Sequence, residues 1–182
     1  MRAKILTEAE IARTLEHTDA QGKVCILLGH RAGLRAMEIA ALDWRAVVDA
    51  SGGLADYVDL PASKAGHGQG RIPICKDLAK ALLKLAALRR FPRKGPVILT
   101  ARGKAFTSHA MSQKIARIYK RAGLDATSHS GRRTFLTGLS DRGLNAFQVK
   151  RAARHSHIST TELYVDDPAS DGIVTLAING KK

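Results

Sequence analysis

Between His129 and Tyr164 the chain reads HSGRRTFLTGLSDRGLNAFQVKRAARHSHISTTELY. His129 and Arg132 stand near its start; His155 and Tyr164 stand near its end. Two imidazoles, a guanidinium and a phenol in one stretch can hold a phosphate and attack it. Thr127-Ser128 is an N-cap signal, which puts His129 and Arg132 on one face of a helix's first turn. Ser159-Thr160-Thr161-Glu162 has capping-box spacing, so Tyr164 is expected on a second, short helix. No metal-ligand pattern is required. His155, His157 and Glu162 do not follow a common zinc spacing, so no metal site is expected.

Three further residues enter from upstream. Arg35 and Glu38 lie in GLRAMEI, after a Gly-Leu turn. Taken alone, they read as a surface ion pair worth little. Lys64 borders an expected hairpin loop and is the only lysine between Lys23 and Lys76. Taken singly, the histidines read as structural and the tyrosine as packing. Order and spacing together change that reading.

GLRAMEI, Lys64, His129-Ser130-Gly131-Arg132, His155 and Tyr164 together resemble the tyrosine recombinase (phage integrase) family. HSHISTTELY supplies that family's last motif almost whole, and the resemblance runs from about Leu6 to Tyr164. It implies a catalytic set of Arg35, Lys64, His129, Arg132, His155 and Tyr164. Arg35 and Arg132 would fork onto the non-bridging oxygens of a phosphodiester. A free tyrosine has a pKa of roughly 10, so about one in a thousand is ionised at neutral pH. By resemblance, His129 is the general base and His155 donates to the phosphate. Lys64 would protonate the leaving 5′ oxygen, and Tyr164 would carry the 3′-phosphotyrosine. Glu38 takes the family's acidic position behind this array. One phosphoester is exchanged for another, so neither cofactor, ATP nor metal is called for.

The same resemblance implies a DNA-integrating or recombining enzyme of a phage or mobile element; with neither a membrane-span run nor a signal-peptide pattern in the sequence, it is expected in the cytoplasm. It would be tetrameric on double-stranded DNA and monomeric when free. It makes the chain a single catalytic domain, with a core at about 6–164 and a C-terminal tail at 165–182. The family's N-terminal core-binding domain is then absent. Three departures stand out. Arg154 replaces the family's usual glycine before the last histidine, where it can distort the turn or touch DNA. Asp166 and Asp167 follow the nucleophile. The third is the missing N-terminal domain. Two alternatives share the pattern: a DNA-binding module of this fold without activity, and a type IB topoisomerase-like nicking-closing enzyme.

Composition points the same way. A chain of 182 residues, 45% hydrophobic, suits one domain with a real core. Its formal charge of +14 is spread along the chain, as on a folded surface that most often meets nucleic acid, with an acidic membrane surface the runner-up. Lys114, Arg117, Arg121, Arg133 and Arg154 are the DNA-binding candidates. Aromatic residues at 4% disfavour single-strand binding by stacking. No apolar run has the length of a membrane span, so no membrane partner is expected. Cys25 and Cys75 are expected as reduced structural thiols. The AGHGQG loop lacks the Lys-Ser/Thr ending of a phosphate-binding P-loop.

The elements that must position these residues read as mostly helix with one small antiparallel sheet, an α+β layout. A capping box at Thr7 to Glu10 opens a helix to about His17. Val24 to Leu28 continues an apolar helix expected to stop near Gly29. A turn at Gly33 leads to a helix through Leu42, then a strand-like passage at Leu42 to Trp44. Tyr57–Leu60 and Arg71–Ile74 alternate as a hairpin, with Pro73 suited to an edge. Lys76 to Arg90 is helical, with Leu78, Leu82, Leu85 and Leu88 on one side. Ser108 to Ala122 follows, ended by Gly123. A helix from His129, a break at Arg142-Gly143 and a helix from Asn145 to about Ala153 complete the core. Ile173 to Ile178 is expected to dock on a sheet edge or an apolar groove.

Overall fold

The computed structural model describes residues 3–61 and 70–154. The expectations for Lys64, His155 and Tyr164, the helix bearing Tyr164, and docking by Ile173 to Ile178 lie outside the described residues.

The described chain is a helical domain with one two-stranded sheet. Helices α1 (Glu8–Glu16), α2 (Ala20–Ala32) and α3 (Ala36–Ala41) come first. A hairpin of β1 (Tyr57–Leu60) and β2 (Gly70–Pro73) follows. Then come α4 (Lys76–Leu88), α5 (Ser108–Arg121), α6 (Ser128–Ser140) and α7 (Ala146–Ala153). α1 starts on the expected capping box: Thr7 accepts from the Glu10 N–H, and Glu10 accepts from the Thr7 N–H.

α2 is the axis of the fold and packs on α1, α3, α4, α5 and α6. Its Val24, Cys25, Ile26, Leu27 and Leu28 are all buried, as an apolar run with neighbours on every side must be. Contrary to expectation, α2 does not stop at Gly29 but runs to Ala32. Gly29 serves a helix crossing instead: it faces Gly131 of α6. The terminator is Gly33, at φ 63°, whose missing Cβ leaves the left-handed region free.

Two other expectations are corrected. Trp44 begins a short 3-10 turn rather than a strand, because the Asp43 carboxylate caps the Arg45 N–H. Only one bridge, Asp43 to Pro96, remains strand-like there. Leu88 is 67% exposed, since α4 ends on it and the chain turns away. The rest of that stripe, Leu78, Leu82 and Leu85, is buried. The hairpin pairs Tyr57 with Pro73 and Leu60 with Gly70. Its buried face is Val58, Leu60 and Ile72, while Pro73 lies at an outer position, as an edge proline should. Cys25 is buried, Cys75 half-buried, and both are free.

Candidate functional site

Four segments meet at one point: the turn from α2 to α3, the first turns of α6, the end of α7 and the start of β2. Arg35 is the N-cap of α3, in extended conformation. Its N–H donates to Glu38 Oε2 at 2.7 Å, and its Nη1 donates to Glu38 Oε1 at 3.3 Å. The Gly-Leu-Arg turn therefore presents the Arg35 guanidinium beside the helix it opens, with Glu38 as its backstop.

Arg132 arrives from α6. That helix opens where the sequence indicates, on Thr127, whose side chain accepts from the His129 N–H. Arg132 is only 4% exposed. Its Nη1 donates to the Gly33 carbonyl at 2.5 Å, and its Nη2 donates to the Ala153 carbonyl. A buried guanidinium requires such acceptors. Arg132, 99 positions from Gly33 in sequence, thus ties the turn bearing Arg35 to the end of α7. His129, one turn earlier, is exposed. The two share the first turns of α6, one reaching inward and the other outward.

Arg154, a candidate DNA contact by sequence, is placed elsewhere by the fold. It is the C-cap of α7, at φ 54° and ψ 44°, and only 8% exposed. This left-handed geometry is the physical reason for a glycine at such a position. The Arg154 side chain crosses over Gly70 at the start of β2: a Cβ there would lie 2.2 Å from Arg154 Cδ. Arg154 Nη2 then donates to Glu38 Oε2 at 2.8 Å. Burial acts to raise the Glu38 carboxyl, but the Arg154 charge, the Arg35 N–H and the Arg35 charge outweigh it. Together they hold it below the usual carboxylate range. The pairing of Arg154 with Glu38 is invisible in sequence; the only signal is a bulky residue where the family pattern has glycine.

Of the other DNA-binding candidates, Arg133 is committed internally, donating to the Ala3 carbonyl at 2.7 Å. Arg117 and Arg121 are exposed on α5. Lys114 is half-buried, with its Nζ 5.7 Å from the Phe106 ring centre. They turn away from Met111, Ile115 and Ile118, which are buried as their spacing indicates. No group of His, Cys, Asp and Glu suited to a metal ion occurs among the described residues. No described helix is long and apolar enough to cross a membrane.

The model of the phage integrase family matches residues 4–170. A tyrosine recombinase XerC of Leptospira interrogans is 24% identical over 164 residues, which is 88% of this chain and 51% of that one. This chain therefore spans about half the length of that curated relative. The crystal structure of XerA recombinase superposes with a TM-score of 0.74 at 19% identity, covering 100% of this chain and 66% of that one. A lambda integrase tetramer bound to a Holliday junction gives a TM-score of 0.67 at 20% identity, covering 92% and 49%. Those two likenesses establish the fold.

Proposed function

The chain belongs to the phage integrase family, and on that premise we propose that it is the catalytic domain of a site-specific DNA recombinase. It cleaves and rejoins duplex DNA through a 3′-phosphotyrosine at Tyr164. The observation that carries this reading is the convergence of Arg35 and Arg132 on one turn. Arg132 is anchored on the carbonyl of Gly33, two residues before Arg35. Two guanidiniums fixed from distant parts of the chain suit a phosphodiester, whose repulsion of a nucleophile must be offset by charges already in place. His129, exposed one turn before Arg132 on α6, is assigned the proton transfer by its match to the family's motif.

Lys64, His155 and Tyr164 complete the set by their match to the family's motifs. Arg154 precedes His155 directly, so the knot at Arg154 leads into the histidine and, nine residues on, the tyrosine. The chemistry conserves the energy of the phosphoester bond and draws on no metal or nucleotide. The partner is double-stranded DNA. The working form is a tetramer assembled on it from monomers, by likeness to the lambda integrase tetramer on its Holliday junction. The chain is read as one catalytic domain that acts in the cytoplasm, on the DNA of a phage or mobile element.

The test is a nicked duplex library that traps the cleaved strand, assayed for a protein–DNA adduct that survives denaturation. Wild type is expected to form it and Tyr164→Phe to lose it. An adduct of normal yield in Tyr164→Phe excludes the assignment. Strand exchange between two sites then separates recombination from topoisomerase-like relaxation.

A further inference from the structure

Arg154 carries two unfavourable features at once. It holds a left-handed backbone, φ 54°, which glycine adopts freely and an L residue only at a cost. Its Nη1 is buried and has no hydrogen-bond partner among the described residues, which is costly for a charged donor. Strain and an orphaned donor at one residue, beside a candidate active site, point to a use.

The use is legible in how Glu38 is shared. Its Oε2 accepts from the Arg35 N–H and from Arg154 Nη2, at 2.7 and 2.8 Å. Its contact with the Arg35 guanidinium is longer, 3.3 Å, and through one nitrogen only. A carboxylate left to a single arginine prefers a two-pronged pair. Here Arg154 takes the strong contact, so Arg35 is braced but not captured.

We propose that Arg154 is a positioning residue for strand transfer: by occupying Glu38 it leaves the Arg35 guanidinium available to the scissile phosphate. The same side chain, lying across Gly70, locks the end of α7 to the start of β2. This inference rests on the recombinase reading for what Arg35 does, but not for how Arg154 controls it.

Arg154→Gly separates positioning from mere support, because glycine fits φ 54° better than arginine does. The variant is expected to fold, the relief of left-handed strain offsetting part of the loss of the buried Glu38 contact. With the full chain and the nicked duplex library, its adduct should form about 10- to 100-fold more slowly, at unchanged duplex affinity. Arg154→Lys, which keeps a cation against Glu38, should recover most of the rate. Glu38→Gln removes the competing charge, so adding Arg154→Gly to it should slow the reaction no further. Wild-type rate in Arg154→Gly, or full additivity of the two changes, overturns the proposal.

A second readout does not depend on cleavage. The Arg35 Nε–H signal, followed by arginine-selective NMR, should respond to orthovanadate, a phosphate mimic, in wild type. In Arg154→Gly it should become protected from exchange and stop responding. An identical Arg35 response in both proteins overturns the proposal. Absence of any adduct in wild type would remove the strand-transfer reading alone, since the Arg35 comparison still decides what Arg154 does.

Discussion

Gly29 of α2 and Gly131 of α6 lie back to back, and a Cβ built on Gly131 would come 3.2 Å from the Gly29 backbone. This contact lets the two helices approach closely, one residue from Arg132 and four from Gly33. The relationship is unequal. A Cβ on Gly29 would meet Gly131 at an ordinary 3.6 Å. Gly29→Ala is therefore expected to be neutral or stabilising by up to about 1 kcal/mol, since alanine suits a helix interior. Gly131→Ala gains the same propensity but must move a helix backbone, so it should be destabilising by about 1–3 kcal/mol. Urea denaturation of both variants checks the order. Equal effects would show that the crossing is not tight at Gly131.

What the residues reveal on their own depends on the range of the interaction. Capping at Thr7 and Thr127, the stripe Met111, Ile115 and Ile118, and the stop at Gly123 are local chemistry, and each lies where the residues indicate. Gly29 misleads because a glycine in an apolar run looks like a terminator until the helix it faces is known. Trp44 misleads because Asp43 caps the turn from its own side chain. Arg35, Glu38 and Arg132 are singled out by motif, and the fold ties Arg132 to the Gly33 carbonyl, two residues before Arg35. The Arg154–Glu38 pair spans 116 positions and has no periodic signature, so sequence marks Arg154 only as an intruder.

The buried pair of His30 and Tyr119 predicts acid sensitivity. His30 Nε2 and the Tyr119 hydroxyl are 2.9 Å apart, and His30 Nδ1 is buried without a partner among the described residues. Burial, with the nearby Arg31 charge, lowers the His30 pKa to about 4, against a smaller opposite effect of Glu8. Burial also raises the Tyr119 phenol. Since the folded pKa of His30 is depressed, the unfolded chain binds the proton first. The stability is complete above the unfolded value and is lost as pH falls from about 6.5 toward 4. Between about pH 7 and 5 the loss should be about 2 kcal/mol. The double variant His30→Leu/Tyr119→Phe should lose most of that pH dependence. An unchanged slope in denaturation would show that other groups carry it.

Duplex binding is expected to be dominated by phosphate contacts. The chain carries +14 and few aromatics, while the candidates Arg133 and Arg154 are engaged inside the fold. Arg117 and Arg121 on α5 remain exposed, with Lys114 beside them. Log affinity should fall with log salt by about 0.9 per phosphate neutralised. Replacing Lys114, Arg117 and Arg121 by alanine should flatten that slope and weaken binding to all sequences alike. Anisotropy titrations at several salt concentrations check it. An unaltered slope would move the DNA path off this face of α5.

Gly33 should be the most sensitive glycine for activity. It sits at φ 63°, its carbonyl accepts from Arg132, and it lies two residues before Arg35. A Cβ there would come 2.5 Å from Phe135 Cδ1. Gly33→Ala therefore meets both left-handed strain and a clash with α6, and should lose about 1–3 kcal/mol. Gly123 is the matched control: φ is 71°, yet nothing lies within 4 Å of where its Cβ would stand. Gly123→Ala should lose only the backbone share, about 1 kcal/mol, and leave adduct formation unchanged. Shortening Phe135 to alanine should remove the steric part of the Gly33→Ala defect, measured against Phe135→Ala alone. It should not restore the rate in full, because the strained turn still displaces the carbonyl that holds Arg132. If Gly33→Ala and Gly123→Ala behave alike in both stability and rate, the turn does not position the two arginines.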